Sequence, residues 1–72
     1  MTDYVLIGTE GCHLCEQAEQ MLREAGLLFS IAEIMDHPQW QDMFAVKIPV
    51  LLHQDTGEWL AWPFDSSQIN SI

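Results

Sequence analysis

Tyr4-Val5-Leu6-Ile7-Gly8-Thr9-Glu10-Gly11-Cys12-His13-Leu14-Cys15 decides the reading of this chain. Its first four residues are a compact apolar run ended by glycine, the pattern of a short buried strand. Gly8 to Gly11 then read as a loop with two flexible points. From Cys12 to about Ala25, Leu14, Ala18, Met21, Leu22 and Ala25 recur at spacings of three and four, which predicts a helix with one apolar face and Glu16, Glu19, Gln20 and Glu24 on the wet side. Gly26 is placed to stop it as a C′ residue. The two cysteines therefore sit where a loop becomes a helix.

Beyond that helix, Leu27 to Ile34 read as a second strand, with Phe29 and Ile31 alternating against Ser30 and Ala32. Asp36 is the expected N-cap of a second helix, with Pro38 in its first turn and Gln39 completing a capping box. That helix is expected to run to Phe44 or Ala45 and to bury Trp40 and either Met43 or Phe44. Ile48 to Leu52 form a third strand with proline near its start. Asp55-Thr56-Gly57 is a turn signal, and Glu58 to Trp62 close a hairpin as the fourth strand. Asp65 is placed to cap a short last helix from about Ser66. The order is β-α-β-α-β-β with a short C-terminal helix. A parallel β-α-β unit joined to a hairpin makes a mixed four-stranded sheet of the α/β class.

Size and charge narrow the field. Seventy-two residues, 49% of them hydrophobic, suffice for a single domain over 1–72 with a simple core. Eleven carboxylates face only Arg23 and Lys47, for a formal charge of −9. Nucleic acid and anionic membranes both need clustered Lys and Arg, so neither is an expected partner. Nothing demands more than a monomer. Met1 to Tyr4 show no basic targeting region, Val5-Leu6-Ile7 is too short for a signal peptide, and no stretch approaches a membrane span. The cytoplasm is the expected compartment, where two cysteines two residues apart point to redox or metal chemistry before a structural staple.

The chemistry follows from position. Unpaired N–H groups and the dipole at a helix start stabilise a thiolate, the reactive form of cysteine, and lower its pKa from about 8.5. Cys12 at the open start is the expected nucleophile. Cys15, one turn inward on the same side, is the expected resolving thiol. A protonated His13 favours the thiolate, while Glu10, Glu16 and Glu19 oppose it. Trp40, Trp59 and Trp62 are expected mostly in core or hairpin packing, with Trp62-Pro63-Phe64 the expected apolar patch for a partner. His37 and His53 could join the cysteines around zinc only at a spacing that fits no common finger, so no metal is assigned.

The string from Gly8 to Cys15, with Ile48-Pro49-Val50 downstream and Trp62-Pro63-Phe64-Asp65 near the end, resembles the small glutaredoxin-like proteins of the thioredoxin superfamily over nearly the whole chain. The resemblance implies a thioredoxin/glutaredoxin-like fold and a thiol–disulfide oxidoreductase or electron carrier that exchanges disulfides with a protein or small thiol. It makes Pro49 the cis-proline facing the cysteines and makes the backbone of Ile48 available to a substrate strand. His13, Leu14, Ile48 and Pro49 become the expected substrate-binding positions. It implies no cofactor beyond the dithiol. Typical glutaredoxins carry a basic residue before the motif and Pro-Tyr within it; here Glu10-Gly11 and His13-Leu14 stand in those places. Lys47 is the obvious cation for the carboxylates of glutathione, too little to make glutathione the expected substrate. Two other readings stay open: a non-catalytic interaction module with a dormant dithiol, and a metal or iron–sulfur carrier that uses the same cysteines.

Overall fold

The computed structural model describes residues 3–72; Met1 and Thr2, part of the N-terminal stretch read above for targeting signals, lie outside them. Strand β1 (Tyr4–Gly8) leads to helix α1 (His13–Glu24) and strand β2 (Ser30–Glu33). A 3-10 turn (Ile34–Asp36) then precedes α2 (Pro38–Phe44), β3 (Val50–His53), β4 (Trp59–Ala61) and α3 (Ser66–Ile69). The sheet has four strands in the order β2-β1-β3-β4. β1 and β2 run parallel, and β3 is antiparallel to both β1 and β4. This is the mixed α/β sheet expected from the sequence.

Side chains alternate across a strand, so β1 feeds two cores. Leu6 packs with Ala18, Leu22, Leu51, Phe64 and Ile69 on the face covered by α1 and α3. Val5 and Ile7 pack with Ile34, Phe44 and Val50 on the face covered by α2. By the same alternation Gly8 belongs to the α1 face. That places the end of β1 under the start of α1.

The end of α1 follows from glycine chemistry. Gly26 adopts φ +75°, its N–H reaches the Arg23 carbonyl at 3.1 Å, and the Leu27 N–H reaches Leu22 at 3.1 Å. Those two bonds are a Schellman cap. They hold Leu27 in the cap, so β2 starts at Ser30, later than expected, and ends at Glu33 because Ile34 winds into the 3-10 turn. The apolar face of α1 is also narrower than its pattern suggests. Cys15, Ala18 and Leu22 are buried, while Leu14 and Ala25 are exposed, because each lies at a helix end beyond the sheet.

The start of α2 differs from expectation. Asp36 is not its N-cap but the last residue of the 3-10 turn, and no Asp36–Gln39 capping box forms. Glu33 takes the capping role one element earlier, accepting the Met35 N–H at 3.0 Å. His37 then stands at the N-cap of α2 without a side-chain cap bond, and Pro38 opens the helix. Phe44 is the residue that α2 buries; Trp40 is half-buried and Met43 exposed. In α3 the expected cap is present. The Asp65 carboxylate accepts the Gln68 N–H at 3.0 Å, and the Gln68 side chain accepts the Asp65 N–H at 3.0 Å.

Candidate active site

The loop before α1 sets the site. Gly11 turns the chain at φ +79°, a left-handed conformation that suits glycine. Cys12 follows in extended conformation as the N-cap of α1, and its Sγ accepts the Cys15 N–H at 3.1 Å. A cysteine sulfur thus occupies the place of the usual capping oxygen. Cys12 is half-buried and Cys15 is 5% exposed, and their sulfurs are joined as a disulfide.

Two residues outside the motif shape it, and neither was singled out from the sequence. A Cβ built on Gly8 would lie 2.7 Å from Cys15 Sγ and 3.2 Å from its Cβ, so the site needs glycine there. Its only sequence signal is a glycine ending an apolar strand. Glu33, at the end of β2, accepts the Glu10 N–H at 2.9 Å and the Thr9 hydroxyl at 3.2 Å. It thereby ties the loop before Cys12 to the neighbouring strand. The Met35 N–H first, and then the Glu10 N–H, hold the Glu33 carboxyl below its ordinary pKa. No local pattern marks Glu33, because its partners on the loop are more than twenty residues away.

The Ile48–Pro49 bond is cis, as the resemblance implied; the Trp62–Pro63 bond is cis as well. Ile7 pairs with Val50, so the next step of the antiparallel register sets Pro49 beside Gly8. Gly8 in turn meets Cys15. Pro49 and the dithiol therefore share one end of the sheet. Pro49 is fully buried and its carbonyl accepts the Trp62 N–H at 3.0 Å. The Ile48 N–H, expected to be open to a substrate strand, instead reaches the Phe44 carbonyl at 3.1 Å.

The surface around the cysteines is mixed. Leu14 is 47% exposed beside them, and the His13 side chain is 92% exposed, with Nδ1 3.5 Å from a Glu16 carboxylate oxygen. The Lys47 ammonium donates to the Met43 carbonyl at 3.2 Å and lies 5.7 Å from the centre of the Trp59 ring. Arg23 pairs with Glu19 at 3.1 Å. Trp62 and Phe64 do not form the apolar patch expected of them. Phe64 is 5% exposed, and Trp62 packs edge-on against it within the α1-side core.

His37 and His53 do not gather at the cysteines. His53 pairs with Tyr4 at the opposite end of the sheet and stacks on its ring at 4.5 Å, while His37 lies against Trp40 at 4.3 Å. At that far end, ligand atoms of Asp3, His53 and Asp55 lie within 4.8 Å of one another.

The family profile described as Glutaredoxin-like domain (DUF836) matches residues 4–72. The chain belongs to the glutaredoxin-like family. Solved structures agree. The X-ray structure of protein XcR50 from X. campestris is 30% identical, covers 94% of this chain and 91% of its own, and superposes with a TM-score of 0.79. Its solution structure is 33% identical, with coverages of 99% and 90% and a TM-score of 0.73. Protein Ne2328 from Nitrosomonas europaea is 25% identical over 97% of this chain and 88% of its own, with a TM-score of 0.84. No curated protein matches. This glutaredoxin-like domain is thus a thioredoxin-type fold with a C-x-x-C pair at disulfide distance. No helix among its described residues is long and apolar enough to cross a membrane.

Proposed function

We propose that this glutaredoxin-like domain is a thiol–disulfide oxidoreductase, with Cys12 as nucleophile and Cys15 as resolving thiol. One observation supports the reading most: Cys12 Sγ stands at the N-cap of α1 with a backbone N–H donated to it at 3.1 Å, while Cys15 is buried one turn behind. The same N–H stabilises charge on the Cys12 sulfur once the pair is reduced.

The chemistry balances in two displacements. The Cys12 thiolate attacks one sulfur of a substrate disulfide; that S–S bond breaks, a Cys12–substrate disulfide forms, and the other substrate sulfur leaves as thiolate and takes a proton. Cys15 loses its proton and attacks Cys12; the mixed disulfide breaks and the second substrate thiolate leaves. Two electrons pass to the substrate, the Cys15 proton and one from solvent protonate the two leaving thiolates, and Cys12–Cys15 becomes the disulfide. An external thiol or dithiol returns the pair to its reduced form. Leu14 and His13, both exposed on the first turn, are the residues a docking substrate meets. A protein disulfide is the favoured substrate over glutathione, because the two cations are already engaged at Glu19 and at the Met43 carbonyl.

Trapping tests the reading. Cys15→Ser should accumulate mixed disulfides through Cys12, and the wild-type pair should titrate with a reduction potential of roughly −200 to −270 mV, the range of small redoxins. A Cys12 that stays inert to alkylation in the folded, reduced protein would refute it. Stoichiometric metal on the purified reduced protein would favour the carrier reading. A partner held equally well by Cys12→Ser/Cys15→Ser would favour the interaction module.

A further inference from the structure

A cavity of about 140 Å³ opens between β1, β2 and α1, with Cys15 in its wall. Its position follows from the register. Leu6 pairs with Ile31 and Gly8 with Glu33 across the parallel strands, so all four lie on the α1 face. β2 is an edge strand, and α1 does not cover it fully, since Ile31 remains 58% exposed.

The chemistry of the walls is divided. Leu6, Ile31 and Cys15 make an apolar floor, while Glu10, Glu19 and Glu33 supply carboxylates. Glu19 already holds Arg23. The carboxylate of Glu33 is bonded only to neutral donors, namely the Glu10 and Met35 N–H groups and the Thr9 hydroxyl. Its position is locked and its charge is uncompensated. No Lys or Arg lines the cavity.

We propose that this cavity receives one lysine or arginine side chain of a disulfide-bearing partner protein, held beside Cys15 while Cys12 exchanges disulfides. The proposal rests on the oxidoreductase reading and names its substrate class. Volume, polarity and charge select the occupant. Small-molecule sites run to roughly 300–1,000 Å³, so this space suits a single side chain. A hydrated metal ion gains nothing from the Leu6–Ile31 floor, and a free carboxylate is repelled by the acidic groups. A long cationic side chain buries its aliphatic stem and keeps its charged head at the carboxylates. The chain's net charge of −9 draws the same class of partner from a distance.

Two measurements test it. Cysteine-bridged peptides carrying Arg, norleucine or Glu at each of the three positions flanking the cysteine are offered to the reduced protein. The best Arg peptide should react about tenfold faster than its norleucine counterpart, a difference of about 1.4 kcal/mol, and the Glu peptide slower still. Glu10→Gln should narrow that ratio; Asp42→Asn, on α2, removes the same charge and should leave it unchanged. Separately, acetyl-arginine methylamide added to the oxidised protein should shift the amide resonances of Gly8, Ile31 and Ala32, and acetyl-norleucine methylamide should not. Equal rates for the Arg, norleucine and Glu peptides, or an Arg preference that Asp42→Asn reduces as much as Glu10→Gln, overturn the cavity assignment while the oxidoreductase reading stands. Arginine-induced shifts scattered over the acidic surface overturn it too. No exchange with any peptide overturns the oxidoreductase reading and the partner assignment with it.

Discussion

Gly8 and Cys15 meet closely enough that hydrogen is the only side chain the site admits at Gly8. Cys15 cannot easily yield, because it is buried and bonded to Cys12. Gly8→Ala should therefore destabilise the oxidised domain by about 1–3 kcal/mol, the usual cost of overpacking, read from its urea midpoint. Glu33 makes a second prediction at this scale. Its carboxyl is held below the roughly 4.3 of a free glutamate, so in the native state it gives up its proton more readily than in the unfolded chain. The stability it contributes is complete above about pH 5 and is lost as pH falls through its lowered native pKa. Between those limits wild type should lose stability on acidification more steeply than Glu33→Gln, measured by thermal unfolding across pH 3–6 (about three units spanning the carboxylate range). The positions of Cys12 and Cys15 were legible because helix spacing alone orders them. Gly8 and Glu33 were not, because what each touches is set by pairing between strands.

At the scale of elements, caps separate what local sequence decides from what it does not. Asp65 and Gln68 form the expected reciprocal box, since both partners lie within one turn. Asp36 offered an equally good N-cap signal, yet Glu33 winds the chain into a 3-10 turn first and leaves His37 at the start of α2. The two aspartates should therefore behave differently. Asp65→Ala should cost about 1 kcal/mol and speed hydrogen exchange at the Ile69 amide, whose bond to the Asp65 carbonyl is 3.1 Å. Asp36→Ala should stay within about 0.5 kcal/mol of wild type in the same denaturation series. A full cap-sized loss at Asp36 would mean that it does cap α2.

For the whole molecule, the sheet divides a small hydrophobic supply into two cores. A domain of 72 residues has a total stability of about 4–11 kcal/mol at the usual share per residue. Phe44 is the largest fully buried side chain and the anchor of α2 on its face, where it also meets Trp59 edge-on at 5.0 Å between ring centres. Phe44→Ala should cost about 3–5 kcal/mol, a large fraction of that total. Circular dichroism should show the variant partly unfolded at 37 °C while wild type is folded. Full retention of the wild-type melting temperature would show that α2 is held by other contacts. The α1-side core should survive at lower temperature, because Leu6, Leu22 and Leu51 belong to the other cluster.

Periodicity and punctuation, both local properties, sufficed to establish from the sequence alone the element order, the placing of two cysteines at a helix start, the Gly26 stop and the Asp65 cap. Tertiary structure decided the strand order, the burial of Phe64 with Trp62 packed against it, the loss of the Ile48 N–H to Phe44, and the cavity beside Cys15. Those depend on which distant segments share a face, and a chain read residue by residue carries no record of which long-range contacts will repay the entropy of closing its loops.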